Sequence, residues 1–205
     1  MHRLSTATLP VDSADNPWTV HQKTVCYENR WMRVTEHEVT NPGGKPGIYG
    51  TVHFKNFGIG VLPIDDEGYV TLIGQYRFPV GRFSWEMPEG GGPCDGDPQE
   101  AAARELREEA GLLAEHWLEV LRMETSNGIT DEQAICFVAW SLHPTEAEPE
   151  DDERLTVARL PFAEVLSLVL RGRLSDAMTV ATVMKVRLLA EAGALPDDLA
   201  ALVLR

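Results

Sequence analysis

Apolar and polar residues alternate from about Val20 to Val39 and again from Ile48 to Phe57, with Gly43-Gly44 between the two runs. A period of two bounded by a glycine turn predicts paired strands. Ile59 to Ile64 and Tyr69 to Tyr76 flank Asp65-Asp66-Glu67-Gly68, a turn sequence, and read as a β-hairpin, with Ser84 to Met87 as a further strand. The period then changes to that of a helix. Asp97 is placed to cap it, Pro98 falls at the first helical position where a missing N–H costs nothing, and Glu100 stands where it closes a capping box. Gly111 supplies the stop. Two more strands, about His116 to Glu124 and Ala134 to Leu142, bracket the polar loop Ser126 to Glu132. A last strand near Leu155 to Leu160 leads into helices at Pro161 to Arg171 and, capped by Ser175, Asp176 to Ala192. Strands with helices inserted among them predict an α/β fold with a mixed sheet between helical layers.

The helix after Asp97 carries the candidate chemistry. At about 100° of turn per residue, Glu105 and Glu109 lie one turn apart on one face, with Glu108 on its flank. Like charges at that spacing destabilise a bare helix by a few tenths of a kcal/mol per pair, so cations are needed to make the arrangement favourable. Hard carboxylate oxygens that leave room for water and phosphate describe a Mg2+ site, with Mn2+ as its substitute. Ahead of the helix, Gly90-Gly91-Gly92-Pro93-Cys94-Asp95-Gly96 reads as a glycine-rich turn. As a bare glutamate-rich helix, the segment would be an ordinary solvated face.

Composition narrows the partners. A length of 205 residues fits one domain with a sizeable core, and 43% hydrophobic with 24% charged residues is ordinary for a globular chain. The net charge of −14 offers no basic surface for nucleic acid, so a phosphate substrate must be drawn in by bound metal and a few placed arginines. Cys26, Cys94 and Cys136 are odd in number and widely spaced, and no apolar run approaches a membrane span. These features predict a soluble, cytoplasmic protein with reduced thiols, and no membrane partner.

Arg104-Glu105-Leu106-Arg107-Glu108-Glu109-Ala110-Gly111-Leu112 resembles the second half of the Nudix box. Glu86-Met87-Pro88-Glu89-Gly90 resembles the strand-end segment that leads into that box in the ADP-ribose pyrophosphatase branch of the Nudix hydrolases. The resemblance runs from about Tyr49 to about Pro161. It implies the Nudix α/β/α sandwich over residues 48–205, preceded by a strand-rich extension, residues 1–47, that serves a homodimer. One departure concerns the upstream acid of the box, whose place falls on Gly96, while Asp97 stands one residue later.

The resemblance also implies roles. Glu105 and Glu109 hold metal, together with the backbone carbonyl of Glu89, while Glu108 is a further ligand, a water orienter or a base. Arg104 orients these acids. Arg77, in Gln75-Tyr76-Arg77, approaches substrate phosphates, as arginine's fork allows. In the acidic run Glu146 to Glu153, Glu153 stands where the branch carries its base, and Glu132 in the Ser126 loop contacts substrate. Tyr49, Trp18 and Trp31 offer aromatic faces for a nucleobase. The expected reaction is cleavage of the diphosphate in ADP-ribose or a related nucleoside diphosphate sugar. The alternatives are GDP-mannose, NADH or dinucleoside polyphosphates as substrates, or a Nudix-fold module that binds nucleotide derivatives without turnover.

Overall fold

The computed structural model describes residues 15–148 and 154–205. They form two compact units, one of Phe57–Met123 with Gln133–Arg205, the other of the chain up to Asn56 with Glu124–Glu132.

The smaller unit is an antiparallel meander of β1 (Thr19–Glu28), β2 (Met32–Thr40) and β3 (Pro46–Phe54). The alternating run from Val20 to Val39 is thus two strands. Asn29 divides them, because its side-chain oxygen accepts the N–H groups of both Trp31 and Met32 at 2.8 Å and turns the chain. The Ser126 loop is clamped to β3 by a Val52–Thr130 bridge, by Tyr49 Oη donating to Gly128 O at 2.6 Å, and by Asp131 accepting from Phe54 N at 3.0 Å.

The larger unit is built on β4 (Asn56–Ile64), β5 (Tyr69–Arg77), β6 (Arg82–Glu86), β7 (Glu89–Pro93), β8 (Leu112–Glu124), β9 (Gln133–Pro144) and β10 (Thr156–Pro161). The strand order is β10-β5-β4-β9-β8, with β6 beside β5 and β7 beside β4. The sheet is mixed, since β4 runs parallel to β9 and antiparallel to β5. Strand alternation assigns its two faces. Ile59, Val61, Ile135, Phe137 and Ala139 pack with Ala101, Ala102 and Leu106 of α1 (Pro98–Ala110). Leu62, Ile64, Cys136 and Val138 face the other way, onto Phe162, Val183 and Leu199 of α2 (Phe162–Leu170), α3 (Ala177–Glu191) and α4 (Asp197–Val203). This is the expected α/β/α sandwich. No helix among the described residues is long and apolar enough to cross a membrane.

Two local expectations change, and one element was not anticipated. The glycine-rich segment is not a turn over its first half: Glu89–Pro93 is strand β7, and only Cys94 to Gly96 turn. Gly90, Gly91 and Gly92 do not have positive φ, and Gly90 and Gly92 serve for their missing side chains rather than for backbone freedom. The cap of α3 is Asp176, which accepts from Thr179 N at 2.7 Å, whereas Ser175 accepts from Arg82. The short helix α4 was not anticipated, because neither end carries a side-chain cap signal.

Asp97 does cap α1, its side chain accepting from Gln99 N at 2.8 Å, and Gly111 closes the helix at φ 62°. Asp97→Ala is expected to lower stability by about 1 kcal/mol in urea unfolding, while Asp97→Asn, an equal cap, changes it little. Equal losses in the two variants would show that the charge, not the cap, carries the effect.

Candidate active site

Helix α1 and strand β7 meet face to face, and the glycines of β7 let them approach. A Cβ placed on Gly90 would overlap Glu105 Oε1, so the Glu105 carboxylate occupies the space a side chain would take. Gly92 likewise faces Ala101, whose Cβ would be 3.0 Å away. Glu105 and Glu109 are consequently buried, at 7% and 3% exposure, on a helix face that carboxylates rarely choose.

Hydrogen bonds hold the acids in this position. Arg104 Nη2 donates to Gly91 O at 2.8 Å and to Glu105 Oε1 at 2.6 Å, and its Nη1 donates to Glu108 Oε2 at 2.9 Å. One guanidinium thereby ties the strand backbone to two helix acids, using the fork geometry lysine lacks. Its pKa is raised, burial pulling it down and Glu105 and Glu108 outweighing that pull. Glu89 N donates to Glu109 Oε2 at 2.9 Å. The β6–β7 corner is fixed in turn, with Pro88 O accepting from Val61 N at 2.9 Å and Met87 N donating to Thr179 Oγ1 at 3.0 Å.

Behind the corner lies a second acidic group. Glu86, Glu89 and Asp176 each offer a carboxylate oxygen, all within 4.8 Å of one another. Arg77, at the end of β5, enters with Nη2 at 2.7 Å from Glu86 Oε1 and 2.9 Å from Glu89 Oε1. Burial pushes Glu89 well above the usual carboxylate range, and the charges of Asp176 and Glu86 push the same way against Arg77. Glu86 is raised too, by burial first, with Arg77 partly compensating. Arg77 is held above its ordinary value, since the neighbouring carboxylates outweigh its desolvation.

The structure therefore gathers Arg77, Glu89, Arg104, Glu105, Glu108 and Glu109 at the junction of β5, β7 and α1. Glu132 belongs to the smaller unit, where its Oε2 accepts from Thr125 Oγ1 at 2.5 Å. Glu153 lies outside the described residues. Glu148, the last described residue before it, donates its N–H to Glu108 O at 3.0 Å on the C-terminal turn of α1. Sequence reasoning missed Glu86 and Asp176 as members of the acidic group. Glu86 stands inside a quoted segment, but nothing local marks Asp176, which arrives from a helix 90 residues along the chain from Glu86.

The donor set is chemically coherent. Buried, aligned carboxylate oxygens beside placed arginines suit a hard divalent cation and the phosphate oxygens it would share. The space that Gly90 leaves for Glu105 fits that use, because any larger residue would displace the carboxylate.

Comparison with known proteins agrees with this geometry. The NUDIX domain model matches residues 55–181, and the model of the nucleoside diphosphate sugar hydrolase N-terminal domain matches residues 18–52. The chain is 34% identical over 167 residues to an ADP-ribose pyrophosphatase of Mycobacterium tuberculosis, covering 79% of each. It is 31% identical over 132 residues to an ADP-ribose pyrophosphatase of Bacillus subtilis, covering 63% of this chain and 71% of that one. Among solved structures, one described as an ADP compounds hydrolase superposes with a TM-score of 0.78 at 21% identity, over 90% of this chain and all of that one. The chain belongs to the Nudix family, and its fold is that of the Nudix hydrolases.

Arg77→Met would leave Glu86 and Glu89 buried without their guanidinium, an expected loss of about 2 kcal/mol after allowing for the partial exposure of Arg77. Both acids have folded-state pKa values above their unfolded ones, so the stability they permit is retained at low pH and lost as pH rises. The deficit of the variant should accordingly be larger at pH 8 than at pH 5.5 in urea unfolding. A deficit independent of pH would assign it to packing instead.

Proposed function

We propose that this chain hydrolyses the diphosphate linkage of ADP-ribose or a related nucleoside diphosphate sugar, with Mg2+ as its cofactor and Mn2+ as a substitute. The observation that carries the proposal is the burial of Glu105 and Glu109 on α1, the first in the space left by Gly90 and the second bonded to the Glu89 amide. Carboxylates are seldom buried without a charge-compensating partner, and a shared divalent cation beside Arg104 offsets the desolvation of such a pair. The names of the relatives support the substrate class.

In this reading Glu105, Glu109 and the Glu89 carbonyl would hold the metal, and its chemistry there would be to offset charge on the phosphates and lower the pKa of water. Arg104 keeps Glu105 and Glu108 in register through the hydrogen bonds already described. Glu108, less deeply buried than its neighbours, remains available as a further ligand or as the group that orients water. Arg77 adds positive charge at the same junction and approaches the phosphates from β5. Glu153 takes the proton from the attacking water, as the family resemblance of Glu153-Arg154-Leu155-Thr156-Val157 suggests. Glu132 contacts the substrate.

Residues 1–47 form the extension and residues 48–205 the hydrolase domain. The extension works in a homodimer, supported by the exposure of every residue of β1, an edge strand that carries Val20, Val25 and Tyr27 outward. Trp18 and Tyr49 meet edge to face at 5.1 Å beside a cleft of about 280 Å³, a setting that suits a nucleobase. The protein acts on small molecules in the cytoplasm.

A hydrolysis screen with and without Mg2+ over ADP-ribose, GDP-mannose, UDP-glucose, NADH and diadenosine polyphosphates tests the reading. ADP-ribose is expected to give the highest kcat/KM, with Glu109→Gln losing at least about a hundredfold and Glu153→Gln at least about tenfold. Binding of these compounds with no metal-dependent turnover would mark a recognition module instead. A loss below tenfold in Glu153→Gln would remove that residue as the essential base.

A further inference from the structure

The helix acids leave the Glu86, Glu89 and Asp176 group without a function. Among the described residues, three carboxylates there face one guanidinium, Arg77, and Glu109 adds a fourth negative charge that acts on Glu89. Glu86 is 2% exposed and Glu89 10% exposed in their side chains, so water does little to screen them. Glu89 Oε1 is taken by Arg77, but Glu89 Oε2 is buried and has no hydrogen-bond partner. A buried carboxylate oxygen left in that condition costs about 1–3 kcal/mol or more, and native proteins seldom tolerate it.

We propose that Glu86, Glu89 and Asp176 form a cation site of their own, taking a hard divalent ion through carboxylate oxygens, separate from the Glu105 and Glu109 face of α1. The spacing suits this. Oxygens no more than 4.8 Å apart are spanned by an ion that binds each at roughly 2.0–2.6 Å. Two further features indicate what such an ion would hold together. Asp176 caps α3 through Thr179 N, and Thr179 Oγ1 accepts from Met87 N, so the site joins the start of α3 to the β6–β7 corner. The same corner presents the Glu89 amide to Glu109. The ion therefore fixes the corner whose Glu89 amide positions Glu109.

The site is read directly from a crystal of the full chain soaked in MnCl2 with no nucleotide. Anomalous density within bonding distance of Glu86, Glu89 and Asp176 is the expected result. Manganese found only at Glu105 and Glu109, or nowhere, with the three acids in place, overturns the proposal and leaves a shared proton as the means of neutralisation. In solution, counting bound Mn2+ by the resonance of the free ion should show Asp176→Asn losing one ion per chain, or weakening it more than tenfold. Asparagine caps a helix as well as aspartate, so this variant keeps α3 and removes only the charge. Glu105→Gln should retain that same ion. Wild-type stoichiometry in Asp176→Asn, with affinity within twofold, would also overturn the site. Because the readout is manganese rather than turnover, an active enzyme without this ion and an inactive protein with it remain distinct results.

Discussion

The close approach of α1 to β7 is the constraint on which the rest depends. It requires a strand face without side chains, which Gly90 and Gly92 provide, and a helix face with small residues, which Ala101 and Ala102 provide. Once the two elements are that close, Glu105 has nowhere to go but over the strand backbone, where Arg104 meets it and Gly91 O together. The burial of the acids is thus a consequence of backbone geometry, not of any preference of glutamate for the interior. Burial in turn strips water from these carboxylates, so their charge is met by hydrogen bonds from Arg104 and the Glu89 amide and suits a bound cation.

Electrostatics then divides the site into two layers. On the α1 side, Arg104 is shared by Glu105 and Glu108, and the Glu89 amide supports Glu109. On the α3 side, Arg77 serves Glu86 and Glu89 and cannot balance Asp176 as well. Glu89 belongs to both, by its amide to one and its carboxylate to the other. A chain with net charge −14 gives no background potential to relieve either layer, so placed arginines and bound ions must do it locally.

What could be read from the sequence follows from how local each signal is. The helix with Asp97, Pro98 and Gly111 was legible because capping is decided within a few residues. Strands β4 and β9 were legible as strands, whereas which of their residues face which helical layer is decided by packing. Strand β7 was misread because glycine usually signals a turn, and a glycine chosen for space looks the same in sequence as one chosen for φ. The cap of α3 was placed one residue early, at Ser175, since both residues are good caps and only geometry separates them. Asp176 as a partner of Glu86 and Glu89 depends on tertiary packing of α3 against the β6–β7 corner, which no window of sequence contains.

The central claim is that the buried acids of α1 exist to hydrolyse a diphosphate. ADP-ribose incubated with the protein and Mg2+ in 18O-labelled water addresses it most directly. The expected outcome is AMP and ribose 5-phosphate in equal amounts, with a single 18O in one of the two phosphates and no reaction when the metal is chelated. Intact, unlabelled ADP-ribose bound to the protein after prolonged incubation with Mg2+ would contradict it.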